Sequence, residues 1–240
     1  MNLAFIPIYT RIVKPPKDEI WDIIDALEIQ DGDIVFITSK ILGIHQGRCM
    51  PVTGCNKEEL IKNECSRYLP YKHHAGFMVS LTIADNILIP SAGIDESNAN
   101  GHYILWPKNT DNLCAEIRRR LIKKHGIKSL GVVSTDSHTT PLRWGVTGIT
   151  TGLAGVEPLR DLRGESDIFG RKMGVTKVNT IDALAGAAVL VMGEAAEQIP
   201  IVILRGFDGI KFSGTASMKD FVIAPEDDLY SPLLDVMKKS

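Results

Sequence analysis

Apolar positions along this chain recur with two periods, and the switches between them lay out the expected elements. Leu3–Ile8 alternates weakly and Ile34–Ile37 is a short apolar run behind Asp31-Gly32-Asp33, so both read as strands. Between them Ile20, Ile23, Ile24 and Leu27 recur at helical spacing and predict a helix over 17–28. It is entered after Pro15-Pro16, with Lys17 or Asp18 near its start. Asn56 stands as an N-cap before an amphipathic helix over 56–68. Met78–Ile89 is β-rich around Asp85-Asn86, a turn pair, and predicts a hairpin. Asp111–His125 places Leu113, Ile117 and Leu121 on one helical face and stops at Gly126, leaving Arg118-Arg119-Arg120 as a solvated face. Leu130–Val133 is a further strand. A helix over 181–197, capped by Thr180, is so rich in alanine and glycine that it must lie close against neighbouring backbone. Ile199–Leu204 is a strand with Pro200 at its start, and the tail from Pro225 is polar with a short terminal helix.

Three strands end in polar residues, and the ends of strands are where open sheets hold ligands. Ile34–Ile37 runs into Thr38-Ser39-Lys40, which serves equally as a helix cap or turn. The hairpin runs into Ser91-Ala92-Gly93-Ile94-Asp95-Glu96-Ser97-Asn98. That segment is either a solvated turn or a hard-cation ligand beside an amide able to contact a phosphate or base. Leu130–Val133 runs into Thr135, Asp136 and Ser137. Gly145, Gly148, Gly152 and Gly155 follow and allow close approach of a ligand or of neighbouring chain, which with Asp136 suits a metal and a polyanion. Arg143, Arg160, Arg163 and Arg171 are more arginine than a plain loop requires, and a planar guanidinium suits phosphate or carboxylate. Glu194 and Glu197 close the helix over 181–197, where its dipole disfavours carboxylates, so Glu194 is a ligand candidate. His73-His74 has no partner at ligand spacing, which favours surface or packing roles.

Composition narrows the classes. The 240 residues suffice for one large domain or two small ones, with ordinary apolar and charged fractions of 44% and 23%. The 27 basic and 29 acidic side chains leave −2 with no block of like charge, which argues against nucleic acid or a membrane surface as main partner. Cys49, Cys55, Cys65 and Cys114 have no CxxC spacing, and Met1–Ile8 with Arg11 behind it makes no signal peptide. A reduced cytoplasm is the expected setting. The longest apolar run, 183–193, is short of the ~20 residues of a membrane span. No GxxxxGK[ST], GxGxxG or GxSxG occurs.

GIDESN (Gly93–Asn98), TDS with PLRWG (Thr135–Gly145), GLAGVEPLRDLRGESDIFGR (Gly152–Arg171) and VMGEAAEQIPIVILRG (Val191–Gly206) occur in one order. As an ordered set over residues 3–207 they resemble the coenzyme F420-0:γ-glutamyl ligases. The resemblance implies an α+β fold of mixed and antiparallel sheets with flanking helices, occupying 1–222 as one domain or two subdomains, with 223–240 as an extension. It also implies a homodimer that adds L-glutamate to a carboxylate using GTP (or ATP) and Mg²⁺ or Mn²⁺. Carried onto this chain, Asp95, Asp136, Ser137 and Glu194 would be metal ligands. Thr10, Arg11, Ile12, Val13, Ser39, Lys40, Asn98, Met192 and Gly193 would contact the nucleotide. Lys40 and Arg143 are the candidates for phosphate or acceptor-carboxylate contact in catalysis. Two positions depart from the family pattern. Thr139-Thr140 stands where a glycine-arginine pair is usual, and Ile44 where a second lysine is common. The acceptor is therefore F420-0 or, as in similar proteins assigned to folate polyglutamylation, a folate. A binding module without catalysis and a metal-dependent phosphohydrolase are the competing classes.

Overall fold

The computed structural model describes residues 3–69 and 79–240, so His73, His74 and Met78 lie outside the described residues. The fold is α+β. In chain order it begins with β1 (Ala4–Ile8), α1 (Trp21–Asp25), β2 (Asp33–Thr38), α2 (Ser39–His45), β3 (Cys49–Pro51) and α3 (Lys57–Glu64). There follow β4 (Arg67–Tyr68), β5 (Leu81–Ala84), β6 (Ile87–Pro90), β7 (His102–Ile104) and α4 (Thr110–His125). The central hairpin is β8 (Leu130–Thr139) and β9 (Val146–Val156), and a short arm is β10 (Leu159–Asp161) and β11 (Lys177–Asn179). The chain ends with α5 (Thr180–Met192), β12 (Ile201–Arg205), β13 (Phe212–Ser213), α6 (Ser231–Leu234) and β14 (Lys238–Lys239).

Six strands form the main sheet in the order β1-β12-β2-β8-β9-β13. All neighbours are antiparallel except β2 and β8, which run parallel from Asp33↔Leu130 to Thr38↔Thr135. The apolar run of β2 has no polar positions because both of its faces are covered. Val35 and Ile37 pack towards α1, α2 and α4, while Ile34 and Phe36 pack towards α5. Ile201 and Ile203 of β12 share the first face, and Val202 and Leu204 the second. A separate sheet, β14-β4-β5-β6, closes with α3 and Trp106 over a third core. The tail returns to this sheet, where Lys238 pairs with Tyr68.

The β5–β6 hairpin turns at Asp85 and Asn86 with φ of 47° and 61°, the doubly left-handed turn that matches strand twist. Asn56 caps α3, its side chain accepting from the amides of Glu58 (3.1 Å) and Glu59 (3.3 Å). Asn56→Ala should therefore cost about 1 kcal/mol, seen as a lower denaturant midpoint at unchanged slope.

Several expected boundaries move, each for a visible reason. The helix expected over 17–28 shrinks to Trp21–Asp25, although Ile20, Ile23, Ile24 and Leu27 are all buried as its periodicity requires. Asp18 does not cap it, being held by Arg11 (2.7 Å) and the Lys14 amide (2.9 Å). The helix expected to reach residue 68 ends at Glu64, because Arg67-Tyr68 is drawn into the second sheet. Asn179, not Thr180, caps α5, accepting from the Asp182 amide at 3.2 Å. The helix then stops at Met192, with Gly193 at φ 77°.

Of the two openings the glycine-rich stretch left, ligand or neighbouring chain, the structure takes the second: Gly148, Gly152 and Gly155 belong to β9, which pairs with β8 from Val146 to Ala154 apart from a register shift beside Ser134/Thr135. Its glycines admit helices. A Cβ at Gly148 would lie 2.4 Å from the Ala185 carbonyl oxygen on α5, and one at Gly152 would lie 2.4 Å from Thr110 on α4.

Candidate functional site

The parallel pair ends at Thr38 and Thr135, and the carboxyl ends of these two strands open on a cleft of about 570 Å³. Such strand ends are where sheets with parallel strands hold ligands. Every residue that the family resemblance assigns to the site lines the cleft except Ser39 and Arg143, whereas Arg160, Arg163 and Arg171 lie outside it. Its walls come from five stretches: 10–13, the β2–α2 junction, 95–100, the end of β8 at 135–137, and the segment from the last turn of α5 to residue 200.

Asp95 enters by a backbone bridge to Ile104, with N–O distances of 3.0 and 2.8 Å. Ahead of it Ser91, Ala92 and Gly93 take left-handed φ of 53°, 55° and 69° in succession. Non-glycine residues in that region cost on the order of 1–3 kcal/mol each and persist only where surroundings over-determine them. One Asp95 oxygen accepts from the Ser97 amide (2.8 Å). The other accepts from the Ser97 hydroxyl (3.0 Å) and meets Lys40 Nζ at 2.5 Å. Burial alone would raise the Asp95 carboxyl, but Lys40 outweighs it and holds the group below the usual carboxylate range.

Asp136 lies on β8 one residue beyond its last partner on β2. Burial pushes its carboxyl up to about 6, against the pull of the Trp106 indole, the Ser137 amide and the Ser39 hydroxyl. The next side chain, Ser137, points to the other face of the strand, where its hydroxyl meets Glu194. Burial likewise raises the Glu194 carboxyl, and Ser137 and Lys40 offset this only in part. Glu194 is not in the last helical turn, as the sequence suggested, but just beyond it.

The remaining candidates divide. Ser39 is 3% exposed, and its hydroxyl is turned to Asp136. Asn98 donates its amide to the Ala195 carbonyl (2.6 Å), tying the Asp95 segment to the Glu194 segment. Arg11 lines the cleft with its backbone region while its guanidinium binds Asp18 and Asp22. Arg143 is exposed at the β8–β9 tip, where its contact is the neighbouring Leu142 carbonyl at 3.5 Å.

Among the described residues no three His, Cys, Asp or Glu side chains converge into a ready-made metal cage. The cleft lining holds carboxylates and hydroxyls but no histidine or cysteine, a hard-oxygen set that suits Mg²⁺ or Mn²⁺ rather than Zn²⁺. Mg²⁺ typically uses one or two carboxylates and completes its shell with phosphate oxygens, so a preformed cage is not required. Asp136 must be ionised to serve as a ligand. Metal affinity should therefore fall as pH drops through about 6, measurable by Mn²⁺ titration between pH 5 and 8.

The sequence model for F420-0:gamma-glutamyl ligase matches residues 7–206. The chain belongs to this family. It is similar to the coenzyme F420:L-glutamate ligase of Methanopyrus kandleri, with 31% identity over 92% of this chain and 94% of the relative. The corresponding Methanocaldococcus jannaschii protein is 33% identical over 87% of this chain and 88% of its own. The Methanosarcina acetivorans protein is 30% identical over 95% and 92%.

Within this ligase fold two contacts go beyond what the sequence nominated. Trp106 donates its indole N–H to Asp136 across 30 positions, and Ser97 holds both Asp95 oxygens. A tryptophan before a proline looks like core, and only the tertiary contact gives it an acid partner.

Proposed function

We propose that this protein condenses the amine of L-glutamate with a carboxylate of an F420-0-type acceptor, driven by a nucleoside triphosphate with Mg²⁺ or Mn²⁺. The observation that carries this reading is the meeting of Asp95, Asp136, Glu194 and Lys40 in one cleft of a γ-glutamyl ligase family member. An acceptor carboxylate oxygen attacks the γ-phosphorus, and the bond from phosphorus to the diphosphate oxygen breaks. The resulting acyl phosphate is attacked at carbon by the glutamate amine, which loses a proton as phosphate departs. Asp95, Asp136, Glu194 and the Ser137 hydroxyl would hold the dication, which offsets the charge of the transferring phosphoryl oxygens. Lys40, 2.5 Å from Asp95, lies within reach of the same oxygens. Thr10–Val13 and Met192-Gly193 furnish nucleotide walls, and Asn98 ties two of them together.

Lys40→Met should lower kcat/KM on the order of 10²-fold, the scale for loss of one electrostatic contact to developing charge. Steady-state rates of that variant check it. The reading as a whole is tested by mass spectrometry of reactions holding Mn²⁺ or Mg²⁺, GTP or ATP, L-glutamate, and F420-0 or a reduced folate. A gain of one glutamyl residue on F420-0 is expected. Gain on folate alone would move the acceptor, and phosphate release independent of glutamate would replace the ligase by a phosphohydrolase. Nucleotide and metal binding without product or phosphate release would indicate a binding module.

A homodimer belongs to the same proposal. Leu142 and Trp144 at the β8–β9 tip are 98% and 92% exposed, and Ile168 and Phe169 on the β10–β11 arm 92% and 89%. Side chains of this size left in water suit a second copy of the chain. Light scattering should give twice the 26.3 kDa of one chain.

A further inference from the structure

We propose that Trp106 is the positioning residue of this site, fixing the Asp136 carboxylate in the orientation that faces the cleft. The inference rests on reading Asp136 as a metal ligand and adds the device that aims it.

Asp136 has outrun its β2 neighbour, since the last pair is Thr38↔Thr135, so the sheet no longer restrains its side chain from that edge. Besides the Ser39 hydroxyl, two N–H donors do so instead. The Ser137 amide donates to Oδ1 at 2.8 Å, and the Trp106 indole N–H donates to Oδ2. A carboxylate oxygen has room for more than one partner, so each oxygen keeps capacity for a cation.

Trp106 is itself rigidly seated. Its ring is 7% exposed within the third core, and a buried indole N–H needs an acceptor. The ring lies against the bare backbone of Gly93, where a Cβ would fall 2.2 Å from the indole carbon Cε2. Its carbonyl accepts from Arg48 Nε at 3.1 Å, and the same guanidinium binds Glu64 at 2.6 Å. Gly93 precedes Asp95 by two residues, so the indole spans the Asp95 stretch and Asp136. It thereby sets the separation of two acids that are 41 positions apart in the chain. A buried indole N–H needs an acceptor in any case, and here the acceptor is a carboxylate that lines the cleft.

Trp106→Phe keeps the ring and removes the donor. Mn²⁺ binding in the presence of GDP, followed by the electron paramagnetic resonance of free Mn²⁺, should weaken 10- to 100-fold, the range for lost outer partners of a ligand. Trp106→His, which restores a ring N–H, should recover part of the loss. Wild-type Mn²⁺ affinity in Trp106→Phe, with affinity lost in Asp136→Asn, would overturn the positioning role while leaving Asp136 a ligand. Wild-type affinity in Asp136→Asn would overturn the ligand reading and this inference with it.

A second measurement needs no altered Trp106. The chain has 3 tryptophans. In ¹⁵N spectra Trp21→Phe and Trp144→Phe assign the other two indole signals, leaving that of Trp106. It should shift on adding Mg²⁺ with GDP to the wild-type protein and not in Asp136→Asn. An indole signal unmoved at saturating Mg²⁺ would sink the proposal.

Discussion

Asp136→Asn is expected to abolish ligation, with turnover down at least ~10³-fold, while the metal-free protein becomes more stable at neutral pH. Loss of turnover follows from removing a half-buried carboxylate at the end of β8, which the proposed reaction uses to hold the dication. The gain in stability follows from the sign of its titration. Burial raises the folded-state carboxyl to about 6, above the ~3.9 of an unfolded aspartate. Between those values the folded protein binds the extra proton, so stability falls as pH rises from about 4 to about 6 and stays lowered above it. A shift of that size corresponds to roughly 3 kcal/mol at most. With the amide's own desolvation discounted, together with the one N–H donor it leaves without an acceptor, an increase of about 1 kcal/mol, or some 2–4 °C in Tm, is expected. Thermal melts in EDTA at pH 7.5 and pH 4.5 check this, because the advantage of the amide should shrink at the lower pH. An advantage over wild type that is the same at both pH values, or a variant that still turns over, would remove Asp136 from the place given to it.

Gly148→Ala should produce a large loss of stability. Its new Cβ would lie 2.4 Å from the Ala185 carbonyl oxygen and 2.7 Å from a Val189 methyl, and the first of these is backbone that cannot rotate aside. The strand or α5 must move, at a cost of about 3 kcal/mol, or roughly 6–12 °C in Tm. The loss extends to the site. Gly148 pairs with Ser137, and α5 leads directly into Gly193 and Glu194, so displacing α5 separates Glu194 from the Ser137 hydroxyl. Reduced activity per folded molecule is expected together with the lower Tm. Gly174→Ala, where a Cβ meets nothing within 4 Å, serves as the matched control and should change stability by less than about 0.5 kcal/mol.

These two glycines illustrate how far sequence reasoning reached. That the glycines admitted something at close range was legible, but whether a ligand or a helix was not, and Gly148 and Gly152 admit α5 and α4. The periodic helices and the apolar runs of β2, β8 and β12 were legible because their burial repeats at fixed spacing. The Asp85-Asn86 turn was legible from residue type, since both residues tolerate positive φ. The β3–β7 pair was not, because three-residue strands carry too few positions to show a period.

For the site, residue chemistry alone nominated Asp95, Asp136 and Glu194 by their places after strands or at a helix end, and family resemblance made them one set. Their shared cleft depends on a parallel pairing of β2 with β8, and on β12 returning the chain from Glu194 to the neighbouring edge of β2. Ser39 was nominated for a nucleotide, yet the fold buries it and turns its hydroxyl to Asp136. Arg143 was nominated for phosphate, and the β8–β9 hairpin, running past the end of β2, carries it out to an exposed tip.

The sequence by itself determined the local elements, the polar ends of the strands and the stock of hard-oxygen donors, because periodicity, turn preference and ligand chemistry are properties of neighbouring residues. Tertiary structure alone decided which donors meet, that Lys40 lies against Asp95, and that an indole 30 positions away holds Asp136. Those contacts are set by strand pairing and by the close seating of helices and an indole on bare glycine backbone, long-range steric facts that no local pattern encodes.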